Sequence, residues 1–194
     1  TAAIAFPTPA EEAGGHPKPT VTANSSDANA ALLTDGDLEN RLLLASPPDG
    51  DLAIQWQYPE PFVARSLSLQ GLSPSAINAA RQGELQASDD GAKFRPVCRI
   101  NFRMKGPVVS VTARFAATSA RYFRLIFPQS DLPFGKLAVA EIRLSAADRI
   151  NAWECKGGHS NMIGHGGGFP HYEELHAPLP EGASEPTGLS AIPQ

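Results

Sequence analysis

The chain has 194 residues, the length of one domain with flanks, and its 18 prolines are close to twice the usual share of about 5%. Together with 17 glycines they argue against a helical bundle and for strands joined by many turns. A net charge of −4 without a basic run argues against a nucleic-acid surface, the 42% hydrophobic content rules out wholesale disorder, and no run of about 18 apolar residues is present to span a membrane.

Residues 1–31 read as a flank. They start at Thr1 without a Met or a signal-like segment, which predicts a chain processed or cut from a longer one. Only Ala3-Ile4-Ala5-Phe6 suits a strand, and Pro7 and Pro9 stop it. Residues 148–194 form a second flank. Its last 40 residues hold eight Gly and five Pro, a loop or linker composition.

Residues 32–147 differ. Ile54, Trp56 and Tyr58 alternate with Gln55 and Gln57, then Leu67 and Leu69 with Ser66 and Ser68. Leu85 and Ala87 follow between Glu84, Gln86 and Ser88. Val109, Val111, Ala113 and Phe115 share one face, as do Phe123, Leu125 and Phe127, with Tyr122, Arg124 and Ile126 opposite. The last set is Ala138, Ala140, Ile142 and Leu144, alternating with Val139, Glu141 and Arg143. Period-two alternation marks half-buried strands, and Pro47-Pro48-Asp49-Gly50, Pro59-Glu60-Pro61, Asp89-Asp90-Gly91 and Gly106-Pro107 mark turns. The pattern predicts an all-β chain, an antiparallel β-sandwich with loop-rich flanks and one short helix over Ser75–Arg81.

The order of signals resembles the galactose-binding-like jelly rolls, the discoidin or coagulation-factor type C modules that also serve as carbohydrate-binding modules. The residues that carry this are Thr34-Asp35-Gly36-Asp37, Ile54-Gln55-Trp56, Ser88-Asp89-Asp90-Gly91 with Phe94, Ala120-Arg121-Tyr122-Phe123-Arg124-Leu125 and Ala140-Glu141-Ile142-Arg143-Leu144. Ala5-Phe6-Pro7-Thr8-Pro9 and Arg149-Ile150-Asn151-Ala152-Trp153-Glu154-Cys155-Lys156 look like stretches of glycoside hydrolase family 106, the α-L-rhamnosidases. The resemblance implies a sandwich inserted in a larger hydrolase. Its expected role is a non-catalytic, carbohydrate-binding accessory module for plant-type polysaccharides or glycosides, periplasmic or extracellular in a bacterium. Its partners would be carbohydrate and the rest of the parent chain. Rival readings are a free-standing binding or adhesion module, a structural insert without a ligand, and flanks that reach the parent's active site.

The resemblance also implies a structural Ca²⁺ between the start and end of the domain, with Asp35 and Glu141 on the matching positions. Asp37 joins them by proximity on the Asp-Gly-Asp turn, and hard oxygen donors on a tight turn suit Ca²⁺. Glu141 solvated or paired to an arginine is the alternative. A sugar needs an aromatic platform and planar polar groups on loops, for which Phe62, Arg95 and Phe134 are the candidates. A packing or solvated residue is the readier reading of each, while the alternation puts Trp56 in the core.

Glycoside hydrolysis generally needs two carboxyl groups across the bond. No motif here pairs two, so no catalytic residue is assigned, and Glu154 is named only as a neighbour of the parent's active site. Among His159, His165, His171 and His176, separated by five, five and four residues of a Gly-rich stretch, one pair has zinc-ligand spacing and the set does not qualify. Cys98 and Cys155 read as two thiols with Cys98 packed inside, a disulfide between them being left open. Asn24-Ser25-Ser26 is a formal glycosylation sequon of a kind that occurs by chance.

Overall fold

Two long strands organise the molecule. The computed structural model describes residues 4–5, 17–25, 28–72, 82–101, 110–149 and 190–191. The strands in chain order are β1 Ile4–Ala5, β2 Thr20–Ala23, β3 Leu42–Ala45, β4 Leu52–Gln70 and β5 Gln82–Ser88. After them come β6 Arg95–Asn101, β7 Ser110–Phe127, β8 Lys136–Val139, β9 Glu141–Ser145 and β10 Ser190–Ala191. Every described pairing is antiparallel.

The first half of β4 pairs with β2 and with the second half of β7, from Leu52 opposite Phe127 to Gln57 opposite Tyr122. β5 and then β6 extend this layer, in the order β2-β4-β7-β5-β6. The second half of β4, from Phe62 to Gln70, pairs with Ser110–Ala120 of β7 and with β9. Each long strand thus serves both layers of an antiparallel β-sandwich. The crossing lies where the register shifts, between Gln57 and Phe62 and between Ala64 and Ser66. Pro59-Glu60-Pro61, expected as a turn, is tolerated inside the strand because cross-strand pairing is interrupted there.

The alternating residues meet in one core. Ile54, Trp56, Tyr58, Leu85, Phe123, Leu125 and Phe127 are all buried. Each large side chain removed from water contributes about 1.5–3 kcal/mol. Tyr58 stacks on Phe62 with ring centroids 4.5 Å apart, and Phe123 meets Tyr58 edge-on at 6.2 Å. Such pairs add about 0.5–1.5 kcal/mol beyond burial, so truncation of Phe123 is the single change expected to damage the core most.

Three features depart from the sequence reading. β2 lies ahead of Leu32, so the sheet takes in residues assigned to the N-terminal flank. β3 and β6 carry no clean alternation, and β3 pairs with β8 from Leu42 opposite Val139 to Ala45 opposite Lys136. The stretch Ala138–Leu144, expected as one strand, is broken at Ala140, so β8 joins β3 and β9 joins β4. Covered on both sides at this break, Val139 and Glu141 are buried although the alternation placed them outward. The helix expected over Ser75–Arg81 lies outside the described residues.

Candidate functional site

Two loop regions hold most of the predicted site residues. The first begins at a 3₁₀ turn over Ala30–Thr34, capped by Asn29, whose Oδ1 accepts from the Ala31 N–H at 3.3 Å. Buried Ala30 and Leu33 tie the turn to the core. Gly36 then takes a left-handed φ of 84°, which turns the chain so that its N–H donates to Glu141 Oε2 at 3.1 Å. The Asp37 N–H donates to Asp35 Oδ1 at 2.9 Å. Asp37 Oδ1 accepts from the Glu39 N–H, and Oδ2 from Asn40 Nδ2 at 2.6 Å. Arg41 Nε fastens the loop to the Gly71 carbonyl at 2.7 Å.

The structure therefore brings Asp35 and Glu141 to the same turn and directs Asp37 into its own loop. Burial raises the pKa of Glu141, and the Asp35 charge adds to that, while the Gly36 N–H and Arg143 oppose it. Hydrogen bonds from Glu39 and Asn40 lower that of Asp37. Among the described residues Glu141 forms no ion pair, and no group of three or more His, Cys, Asp or Glu side chains converges. Any cation held here would need backbone carbonyls beside the two carboxylates.

The second region lies at the sheet end that carries Leu52 and Phe127. Gln129 N–H donates to Asp51 Oδ1 at 3.0 Å, and Gln129 Nε2 donates to the Pro48 carbonyl at 3.1 Å. Asn24 Nδ2 holds the Asp51 carbonyl at 2.9 Å, and its Oδ1 accepts from the Ala53 N–H. Buried Leu132 anchors the loop from below. Above it Phe134 is 81% exposed and has a φ of 54°. Gly135 follows, also left-handed, and its carbonyl accepts from Ser46 N–H at 2.8 Å and from Ser46 Oγ at 3.1 Å. A bulky residue in left-handed backbone costs roughly 1–2 kcal/mol and persists only where its surroundings fix it. Here the fixation is a hydrogen-bonded frame, and what it holds out is a bare aromatic ring.

The other two sugar candidates do not join Phe134. Phe62 is only 7% exposed and stacked in the core, so it offers no platform. Its Pro-rich surroundings suggested a loop, but they form the bend of β4 and the ring turns inward there. Arg95 lies toward the opposite end of the sheet, beside Tyr122 and Ser88. Its Nη1 faces Asp89 Oδ2 at 3.4 Å, and its Nη2 donates to the Ser119 carbonyl at 3.1 Å. Glu154, Cys155 and the four C-terminal histidines lie outside the described residues.

Cys98 is a free thiol packed against the core. Burial pushes it up to about 12, and Glu84 adds to the shift, so it is no nucleophile at neutral pH. The sequence reading did not identify Asp51, Gln129 and Ser46 as the frame of the Phe134 loop. The available signal was the pair of turn clusters Pro47-Pro48-Asp49-Gly50 and Pro128-Gln129-Ser130-Asp131. Among the described residues no helix is long and apolar enough to cross a membrane.

No protein-family model matches the chain, and no curated protein does. Solved structures share its fold. One is the module CpGH89CBM32-5 from Clostridium perfringens, in complex with GalNAc-β-1,3-galactose, at 20% identity and a TM-score of 0.53 over 65% of this chain and 94% of that one. The CBM32-1 and CBM32-2 domains of Clostridium perfringens ZmpB, in complex with GalNAc, superpose with a TM-score of 0.56 at 14% identity, covering 76% of this chain and 42% of that one. A pectin-binding carbohydrate-binding module gives a TM-score of 0.50 at 16% identity over 77% of this chain and 96% of that one.

Proposed function

We propose that the chain is a carbohydrate-binding accessory module that takes a sugar against Phe134. The observation that carries this is the ring itself, 81% exposed on left-handed backbone and braced through Gly135 and Ser46. An apolar ring held in water at the cost of strain suits the apolar face of a pyranose. Ser46, Asp51 and Gln129 supply polar groups in the loops that frame it. The fold it shares with sugar-bound modules supports the same reading. Titration with galactose, GalNAc and rhamnose tests it: Phe134→Ala should abolish the binding and leave the melting temperature within a few degrees. Equal binding by Phe134→Ala would sink it.

The host remains part of the proposal. The stretches resembling family 106 favour an α-L-rhamnosidase acting in the periplasm or outside the cell, with the remainder of that chain as a partner. We further propose a structural Ca²⁺ on Asp35 and Glu141. The donor chemistry fits: two carboxylates, one of them buried with a raised pKa, are hard oxygen ligands whose mutual repulsion a cation would relieve. A bracing insert is the second reading, favoured by the pairing of Ile4–Ala5 with Ser190–Ala191, one segment from each flank.

A further inference from the structure

The outward positions of the five-stranded layer form a row that no loop site uses. Thr22, Gln55, Arg124, Gln86 and Pro96 stand opposite one another on β2, β4, β7, β5 and β6. Neighbouring strands lie about 4.8 Å apart, so the row is a track across the sheet, polar from Thr22 to Gln86 and ending at Pro96.

Arg124 is its fixed point. Its guanidinium lies 3.9 Å from the centroid of the Phe94 ring. Nε and Nη2 both donate to Gln86 Oε1, at 3.3 and 2.8 Å. Gln86 Nε2 in turn donates to Glu84 Oε1 at 2.7 Å, and Arg99 Nε faces Glu84 Oε2 at 3.5 Å. The carboxylate of this network is thus engaged by Gln86 and Arg99, whereas Arg124 is held by a neutral amide and a ring. Nη1 of Arg124 makes no hydrogen bond among the described residues, and Arg124 has no ion pair there.

The turn between β5 and β6 folds down beside the track. It carries Phe94 onto Arg124, and it sets Gly91 so close to Tyr122 that an added Cβ would lie 3.2 Å from Cε1 and Cζ of that ring. The track therefore has a wall on one side. Within the network Arg99 and Arg124 stand against one carboxylate, Glu84, and the adjoining turn adds Lys93, Asp90 and Asp89, the last facing Arg95 at 3.4 Å.

We propose that this sheet face is a second binding site, for an acidic polysaccharide. A uronate carboxylate would seat on the Nη1 side of the Arg124 guanidinium, and a sugar hydroxyl on the amide of Gln55. A guanidinium already stacked and aligned loses little freedom on taking a carboxylate, and charge-assisted pairs of this kind are the strong ones. The choice of a sugar polymer rests on the carbohydrate-binding reading, but the position does not depend on Phe134.

Affinity electrophoresis of the whole chain in polygalacturonate, with neutral galactan as the control polymer, tests the proposal. Wild-type protein should be retarded by polygalacturonate far more than by galactan, and added salt should release it. Arg124→Gln should weaken the interaction about tenfold or more, the worth of one lost charged hydrogen-bond pair. Gln55→Glu, which sets a carboxylate opposite Arg124, should do the same without touching the core, with melting curves confirming the fold. Phe134→Ala should leave polygalacturonate retardation intact. The proposal is overturned by equal retardation of wild type and both variants, by loss with Phe134→Ala alone, by equal retardation in galactan, or by none in polygalacturonate. Loss of small-sugar binding in Phe134→Ala is read separately, so failure at the loop end and failure on the sheet face are distinguishable.

Discussion

Two Asp–Gly turns in this molecule have nearly the same composition and opposite fates. In Ser88-Asp89-Asp90-Gly91 the loop closes on itself: Asp90 Oδ1 accepts from Ser88 Oγ and from the Ala92 and Lys93 N–H groups, at 2.8–2.9 Å. In Thr34-Asp35-Gly36-Asp37 the glycine N–H is satisfied by Glu141, 105 residues away. The first turn needs only its own residues, which is why a hairpin can use it anywhere. The second is completed by a buried acid from another strand, and that acid has a raised pKa. Composition announces a turn; the distant partner is what sets this one apart.

If the Asp35 turn is held from outside, the contacts that hold it should be costly to disturb. Gly71, whose carbonyl receives Arg41, has a φ of 65°, and an added Cβ would lie 2.4 Å from the Ala140 Cβ. Gly71→Ala should therefore suffer both backbone strain and overpacking, about 3 kcal/mol together, read as a lower denaturant midpoint. A loss below about 1 kcal/mol would show that the Ala140 break can shift freely and that the turn is not fixed by it.

Calcium should act on one turn and not the other. With Ca²⁺ at about 100 times its dissociation constant, the native state gains about 2.7 kcal/mol, seen as a higher melting temperature that EDTA reverses. Asp35→Ala should remove the shift, and Asp90→Ala should keep it. A shift lost only in Asp90→Ala would reverse the comparison, and no shift in wild type would remove the calcium proposal.

The glycines separate the turns by a smaller margin. Gly36 has φ 84° and nothing within 4 Å of an added Cβ, whereas Gly91 has φ 75° with Tyr122 at 3.2 Å. Gly36→Ala should cost about 1 kcal/mol of left-handed strain alone. Gly91→Ala should cost somewhat more, because Tyr122 must also yield. Equal losses in urea melts would mean that Tyr122 moves aside at no cost.

The layer of buried alternation was legible without coordinates, because a half-buried strand must present every second residue to the core. Trp56, Phe123 and Leu125 are where period two puts them. β3, β6 and the break at Ala140 were not legible. β3 is a run of three leucines, and which of them turns inward depends on β8, a pairing across more than 90 residues. Asp35 and Glu141 came from a resemblance, and only the chain path shows them sharing a turn. Phe62 and Phe134 illustrate the limit best: both are Phe beside Pro, yet one stacks in the core and the other stands in water. The network of Arg124, Gln86 and Phe94 joins three separate segments and leaves no mark on any one of them.

Protonation offers the finest separation, since Glu141, the acid that completes the Asp35 turn from another strand, shifts in the opposite direction to the aspartates within the turns. Asp90 is lowered from 3.8 by the hydrogen bonds from Lys93, Ala92 and Ser88, so its contribution is present above that value and lost as pH falls through its lower folded pKa. Asp37 behaves in the same way. Glu141 is raised from 4.5, chiefly by burial, so the native state takes up its proton before the unfolded chain does. Its contribution is present below 4.5 and is lost as pH rises through the folded value. On acidification from neutral pH, stability should first rise slightly as Glu141 protonates and then fall below about pH 4 as Asp90 and Asp37 do. Melting temperatures across this range should show the rise vanish in Glu141→Gln and the fall shrink in Asp90→Asn. Saturating Ca²⁺ should also suppress the rise, because a bound cation keeps the Glu141 carboxylate charged. A rise that survives Glu141→Gln would place the buried acid elsewhere and dissolve the contrast between the turns.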